Sequence, residues 1–198
     1  PDWLSTHPAP EDRQARMQRA IAAIPPDSLG SIVERDSYLQ RLSGMVYGSD
    51  PRQGYFVGQR FNHPEMRFTM TFPEGWATQN ATQAVTALSA EKDAMIQLTL
   101  SRAPSADSAL RAFSAQQGLQ PGTATRPALR GFASSASLPF AALVQADTLR
   151  GTVLFVEHAG AVLQLIAYGP AKAWAGRQAA AEAALRSFAV LTDRAALE

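Results

Sequence analysis

Cysteine is absent from this 198-residue chain, which removes thiolate catalysis, disulfide staples and cysteine-ligated zinc. Histidine is scarce: His7, His63 and His158 are the full set, and no two stand four residues apart. A helix therefore cannot offer the paired imidazoles of an HExxH zinc site. No apolar run approaches the roughly 20 residues that cross a bilayer, and Pro1 to Pro10 shows neither a basic nor an apolar leader region, so the sequence reads as that of a soluble chain. A charge excess of either sign is missing too, with 18 Lys+Arg against 17 Asp+Glu. No global field draws such a chain onto nucleic acid or an anionic membrane. There is no GxSxG elbow, no glycine-rich phosphate cradle and no internal repeat. Lys92 and Lys172 are the only lysines, and alanine is abundant, a bias of coding more than of function.

What is present suits a globular protein. Hydrophobic residues make up 46% of the chain and charged residues 18%, enough for one domain with a short attached segment. Ser5, Thr6, Pro8, Pro10, Glu11 and Asp12 carry helix-start chemistry, and Met17, Ile21 and Ile24 then recur at helical spacing until Pro25-Pro26. That helix has little apolar surface of its own and must dock on something. Asp36 is placed to cap a second short helix through Tyr38, Leu39 and Leu42, followed by a turn-rich connection around Tyr47 to Pro51.

From Gly54 the apolar period becomes 2. Met66, Phe68, Met70 and Phe72 alternate with polar residues and stop at the turn Pro73-Glu74-Gly75-Trp76. Strands are expected over 83–89 and 95–101, around a charged tip at Glu91-Lys92-Asp93. A helix opening at Pro104-Ser105 turns Leu110 and Phe113 inward. Further strands are expected over 129–138, 143–147, 151–158 and 161–168, the last pair joined at Ala159-Gly160. Trp174, Ala181, Leu185 and Phe188 fall nearly on one line of a closing helix. The fold class is α+β: an antiparallel β-sheet covered by two main helices and preceded by one or two N-terminal helices.

Candidate sites are few. Strand and helix spacing assigns most aromatics to the core, while Trp76, just beyond a turn, is a candidate for a pocket rim. His63 and His158 are expected at surface or turn positions, with a hydrolase built on either as a minor alternative. Asn80-Ala81-Thr82 satisfies the glycosylation sequon, a pattern short enough to arise by chance.

Two resemblances add to this reading. Leu4-Ser5-Thr6-His7-Pro8 with Glu11, Asp12 and Arg13 resembles the closing helix of HtpX/CAAX-prenyl-protease-type zinc metallopeptidases. Asp36-Ser37-Tyr38-Leu39, Val46 to Gly54 and Arg60-Phe61-Asn62-His63-Pro64 look like the segment that follows that domain in bacterial periplasmic members. The resemblance implies a parent protein with zinc, a catalytic half not included here, and export. It makes His7 the donor to the oxyanion and Arg13 a brace of the site, the former a role worth roughly 3 kcal/mol where it operates. Neither acts without the zinc half, so no cofactor is expected in this chain. From Met66 to Phe188 the pattern is similar to the PsbP/Mog-like fold, whose members mostly bind proteins and share no catalytic constellation.

The resulting organisation is a terminal helix over 1–26, a connector over 27–50 and an α+β accessory domain over 51–198. The leading functional expectation is a non-catalytic accessory region that positions substrate or a partner beside the peptidase domain of the same parent protein. The alternative is a PsbP-like ligand- or peptide-binding module with no proteolytic role.

Overall fold

A computed structural model describes residues 10–25, 34–43, 50–144 and 147–197. The chain divides into two compact units, 1–47 and 48–198. In the first, Pro10 opens α1 (Pro10–Ala22) at a position where its missing N–H costs nothing, and α2 spans Arg35–Leu42. The caps expected at Ser5 and Thr6 lie outside the described residues. Asp36 sits in the first turn of α2 and not at its cap; Glu34 holds the cap position, and its carbonyl accepts from Ser37 Oγ at 3.0 Å. The expected apolar stripe is uncovered, with Met17 65% and Ile21 53% exposed in α1 and Ile24 41% exposed beyond its end at Ala22. Tyr38, Leu39 and Leu42 of α2 are exposed as well.

The second unit contains β1 (Tyr55–Val57), β2 (Arg60–His63), β3 (Phe68–Thr71), β4 (Ala77–Ala81), β5 (Ala84–Leu88), β6 (Met95–Ser101), α3 (Ala106–Ser114), β7 (Leu119–Pro121), β8 (Ser135–Val144), β9 (Asp147–His158), β10 (Ala161–Pro170), α4 (Ala171–Arg186) and β11 (Ala189–Val190). The strands form two antiparallel sheets, a small one in the order β1-β2-β3-β11 and a large one in the order β4-β5-β6-β10-β9-β8-β7. This is the expected α+β class, with the strand ending at Phe72 assigned to a second sheet.

The large sheet is covered on both faces in its middle. Val153, Leu154, Phe155 and Val156 of β9 are all buried, because successive side chains meet different cores. Leu154 and Val156 join Leu163, Leu165, Ile96, Leu98, the α4 residues Trp174, Ala181 and Leu185, and Phe61, Phe68 and Met70 of the small sheet. Val153 and Phe155 meet α3 through Ala109 and Phe113. The helix α3 is started by a reciprocal cap, in which Ser108 N–H donates to Ser105 Oγ at 3.2 Å and Ser105 N–H donates to Ser108 Oγ at 3.1 Å. Glu157 of β9 adds a carboxylate at the positive end of that helix, accepting from Ala106 N–H at 2.7 Å.

Hairpin geometry sets the registers. Ala159 and Gly160 both have positive φ, 49° and 78°, the twist that a two-residue turn between β9 and β10 requires. The strand expected over 143–147 does not exist as a unit: Leu143 and Val144 end β8, Asp147 begins β9, and Val144 pairs with Asp147. Leu129 and Phe132 precede β8 in a loop and pack on the core from there. Among the described residues no helix is long and apolar enough to cross a membrane.

Candidate functional site

Residues of both sheets line a cleft of about 530 Å³ in the second unit. Its floor is apolar, from Val85, Leu98 and Leu163 of the large sheet and Met66 and Phe68 of the small-sheet side. Leu100, 61% exposed, stands among the lining residues. The β4–β5 turn at Thr82-Gln83 forms one wall, and Asp50, Gln53, His63 and Glu65 supply polar groups to the other. A cavity of this size, with apolar and polar side chains both in its lining, has the dimensions of a ligand site.

Those polar groups are held in place. Asp50 caps the short 3-10 turn Pro51–Gln53 and forms an ion pair with Arg52 at 2.8 Å, which holds its carboxyl below the usual range, chiefly through the side-chain hydrogen bond. Gln53 Nε2 donates to Glu65 Oε2 at 2.9 Å, and Asn80 Nδ2 donates to the Gly54 carbonyl at 2.7 Å. Gly54 has a φ of 100°, and a Cβ there would stand 2.2 Å from Phe61 Cζ. Glycine at this position lets the segment 50–54 lie close against the small sheet.

Met66 sits between two imidazoles. Its N–H donates to His63 Nδ1 at 3.2 Å, and its carbonyl faces His158 Nε2 at 2.6 Å. Accepting at Nδ1 places the proton of neutral His63 on Nε2, and among the described residues nothing bonds that nitrogen. Burial pushes the His63 pKa down, with the Glu65 charge opposing as the lesser effect. His63 is therefore a neutral hydrogen-bond donor lining an apolar cleft near neutral pH. Both histidines are part-buried and stand at strand ends directly before turns, His63 before 64–67 and His158 before Ala159-Gly160, in keeping with the turn positions expected of them. Neither is oriented by a carboxylate among the described residues, the support a general base of the triad type needs. The hydrolase alternative gains nothing from this geometry.

The residues named from sequence fare differently from the cleft. His7 lies outside the described residues, and so does the side chain of Arg13, whose backbone belongs to α1. Trp76 is 7% exposed and packed in the larger core, and it lines neither of the two cavities. The indole, one residue before β4, turns inward onto the larger core, so a packing role replaces the pocket-rim expectation. Asn80 of the sequon already donates to Gly54. Among the described residues no three His, Cys, Asp or Glu side chains are grouped to hold a metal ion, so these residues do not fit a zinc site. A second hollow of about 240 Å³ lies between α4 and β8–β9, where Glu182 already accepts from Gln178 at 2.8 Å and from Arg186 at 3.3 Å.

Sequence reasoning missed the cleft because its lining comes from positions as far apart as His63, Asn80, Leu98 and Leu163. Alternation signals which face is buried, but not where residues of two sheets line one cleft.

No family model matches the chain, and no curated protein matches it. Among solved structures it is similar to the cyanobacterial PsbP protein (CyanoP) of Synechocystis, at a TM-score of 0.52 and 15% identity over 75% of this chain and 98% of that one. The Ran-binding protein Mog1p of Saccharomyces cerevisiae matches at a TM-score of 0.47 and 9% identity, over 73% of this chain and 100% of the other. LpqN of Mycobacterium tuberculosis, involved in cell envelope biogenesis, matches at 0.45 and 15% identity, over 63% of this chain and 83% of the other. The chain has a PsbP/Mog-like fold. The comparisons give no support to a metallopeptidase parent.

Proposed function

We propose that this chain is a non-catalytic binding module whose ligand seats an apolar group in the cleft between the sheets and accepts a hydrogen bond from His63 Nε2. The observation that carries the reading is the cleft itself: an apolar floor next to a neutral donor, framed by side chains already fixed by Gln53–Glu65 and Asn80–Gly54 contacts. Burial of an apolar group there is favourable at about 25 cal/mol per Å². The fold, shared with PsbP-like proteins, is compatible with such a role but does not assign it.

A thermal-shift screen with fatty acids, an anilinonaphthalene sulfonate dye and apolar heptapeptides tests the reading. A ligand at 100 times its Kd adds about 2.7 kcal/mol, or roughly 5 to 10 °C for a domain of this size. Leu100→Trp, which fills the mouth from an exposed position, is expected to abolish the shift. Shifts that persist unchanged in that variant would place binding elsewhere and defeat the proposal.

A second reading is favoured by α1. A 13-residue helix is marginal alone, and its uncovered Met17 and Ile21, with Ile24 just beyond it, suit a docked neighbour. In this reading the chain is the accessory region of an exported bacterial zinc metallopeptidase, α1 packs on the peptidase domain, and zinc, His7 and Arg13 belong to that site. The reading frame preceding Pro1 tests it: an HExxH with a downstream glutamate ligand supports it, and their absence removes it.

A further inference from the structure

The edges of the large sheet are built differently. At one edge, β7 is three residues long and ends in Pro121, which has no N–H to offer an incoming strand. At the other, β4 reads Ala77-Thr78-Gln79-Asn80-Ala81, with no proline and no charged residue. Its register with β5 is regular, from Ala77 opposite Leu88 to Ala81 opposite Ala84. Proline and charge, two of the usual protections of an edge strand, are absent from it, and the 53–54 segment that lies near it is held through the Asn80 side chain.

The register also says which backbone groups are free. Ala81 and Ala84 close a two-residue turn, so they exchange both hydrogen bonds, and the alternation of an antiparallel ladder gives Gln79 and Ala77 the same role. Thr78 and Asn80 therefore direct their N–H and C=O groups away from β5. No backbone hydrogen bond from another described element reaches them. The side chain of Asn80 lies on the face where the cleft opens, and Asn80 itself lines it.

We infer that β4 accepts an extended peptide from another protein as an added strand, with bulky apolar residues at alternate positions of that peptide turned toward the cleft. The inference rests on the binding reading of the cleft and names its ligand class. A second copy of this chain is a poor occupant: its own β4 would bring only alanine, threonine, glutamine and asparagine side chains, which leave the apolar part of the cleft, at Val85, Leu98 and Leu163, without an apolar partner. Main-chain bonds at Thr78 and Asn80 would supply affinity, and the cleft would select the side chains.

The test uses the heptapeptide Thr-Leu-Thr-Leu-Thr-Leu-Thr, two forms of it N-methylated at either the leucines or the threonines, and an all-threonine control. The expected result is slowed amide exchange at Thr78 and Asn80 on peptide addition, loss of at least tenfold in affinity for one methylated form only, and no binding of the control. Thr78→Pro, which removes an outward N–H without touching the bonded pairs, is expected to weaken binding at least tenfold. If that variant fails to fold, the methylated pair decides. Peptide binding blocked by Leu100→Trp, with both methylated forms equal and no amide protected, overturns strand addition but leaves the cleft reading standing. Dye uptake in the cleft without peptide binding has the same meaning, and no binding of either removes both. Protection of the same amides by dimerisation without peptide assigns the edge to a second copy and overturns the inference.

Discussion

The two ends of β5 are finished in opposite ways. Beyond Leu88 the chain turns through Ser89 to Ala94, and this end is sealed: Arg177 of α4 reaches Asp93 at 2.9 Å and pairs with Glu91. Ser89 Oγ accepts from the Asp93 and Ala94 N–H groups at 2.9 and 3.0 Å, and Trp174 is buried in the adjoining core. Before Ala84, at Thr82-Gln83, there is no helix and no ion pair, and the cleft opens instead. Side chains at the sealed end fix the backbone of the turn itself; at the open end the polar side chains are paired with one another around the cleft, and among the described residues His63 Nε2 and the outward backbone groups of β4 remain available. The comparison places stability at one end and recognition at the other.

Substitutions at the sealed end are expected to act on stability. Trp174→Ala should have the largest effect, about 3 to 5 kcal/mol of unfolding free energy, read by chemical denaturation. Arg177→Ala should lower the midpoint by less. Asp93 is held below the usual carboxylate range by Arg177 first and Ser89 second, so that contribution is present above pH of about 3.9 and is lost as pH falls through the folded-state pKa. The gap between Arg177→Ala and the parent protein should therefore narrow in strong acid.

At the open end the expected stability effects are smaller, and pH is the sharper probe. The pKa of His63 is depressed in the folded state, so the unfolded chain takes up its proton first. Stability is complete above the unfolded value of about 6.5 and declines as pH drops below it. His63→Gln keeps an acceptor for Met66 N–H, and it should lose less stability than the parent between pH 7 and pH 5. Smallest of all, Leu100→Trp is expected to change stability by no more than about 0.5 kcal/mol while removing ligand binding. A large loss of stability there would erase the distinction between the ends.

The sequence signals follow the same division. Ile96, Leu98 and the Trp174–Leu185 line are readable because a one-sided core imposes a period on apolar residues, and the 151–168 meander because its central strands are apolar on both faces. The strand β4 was not, since an edge strand of Thr78, Gln79 and Asn80 has no apolar contrast between its faces. Its hairpin with β5 was consequently seen only from Gln83 onward. The stretch from Leu143 to Asp147 reads as one strand because it contains neither glycine nor proline. Trp76 was misjudged for a related reason: position after a turn does not say whether the side chain turns inward. At α1 the stripe was legible but its burial was not, because a helical period records a demand for cover and not its source.

The most direct test of the account is a backbone amide NMR titration of the chain with the Thr-Leu heptapeptide. The expected result is shifts confined to the β4–β5 hairpin, His63 to Phe68, and Leu98 to Leu100, with the Ser89–Ala94 turn and α4 unmoved. Shifts centred on α4 and the sealed end, with the β4–β5 hairpin silent, would contradict it.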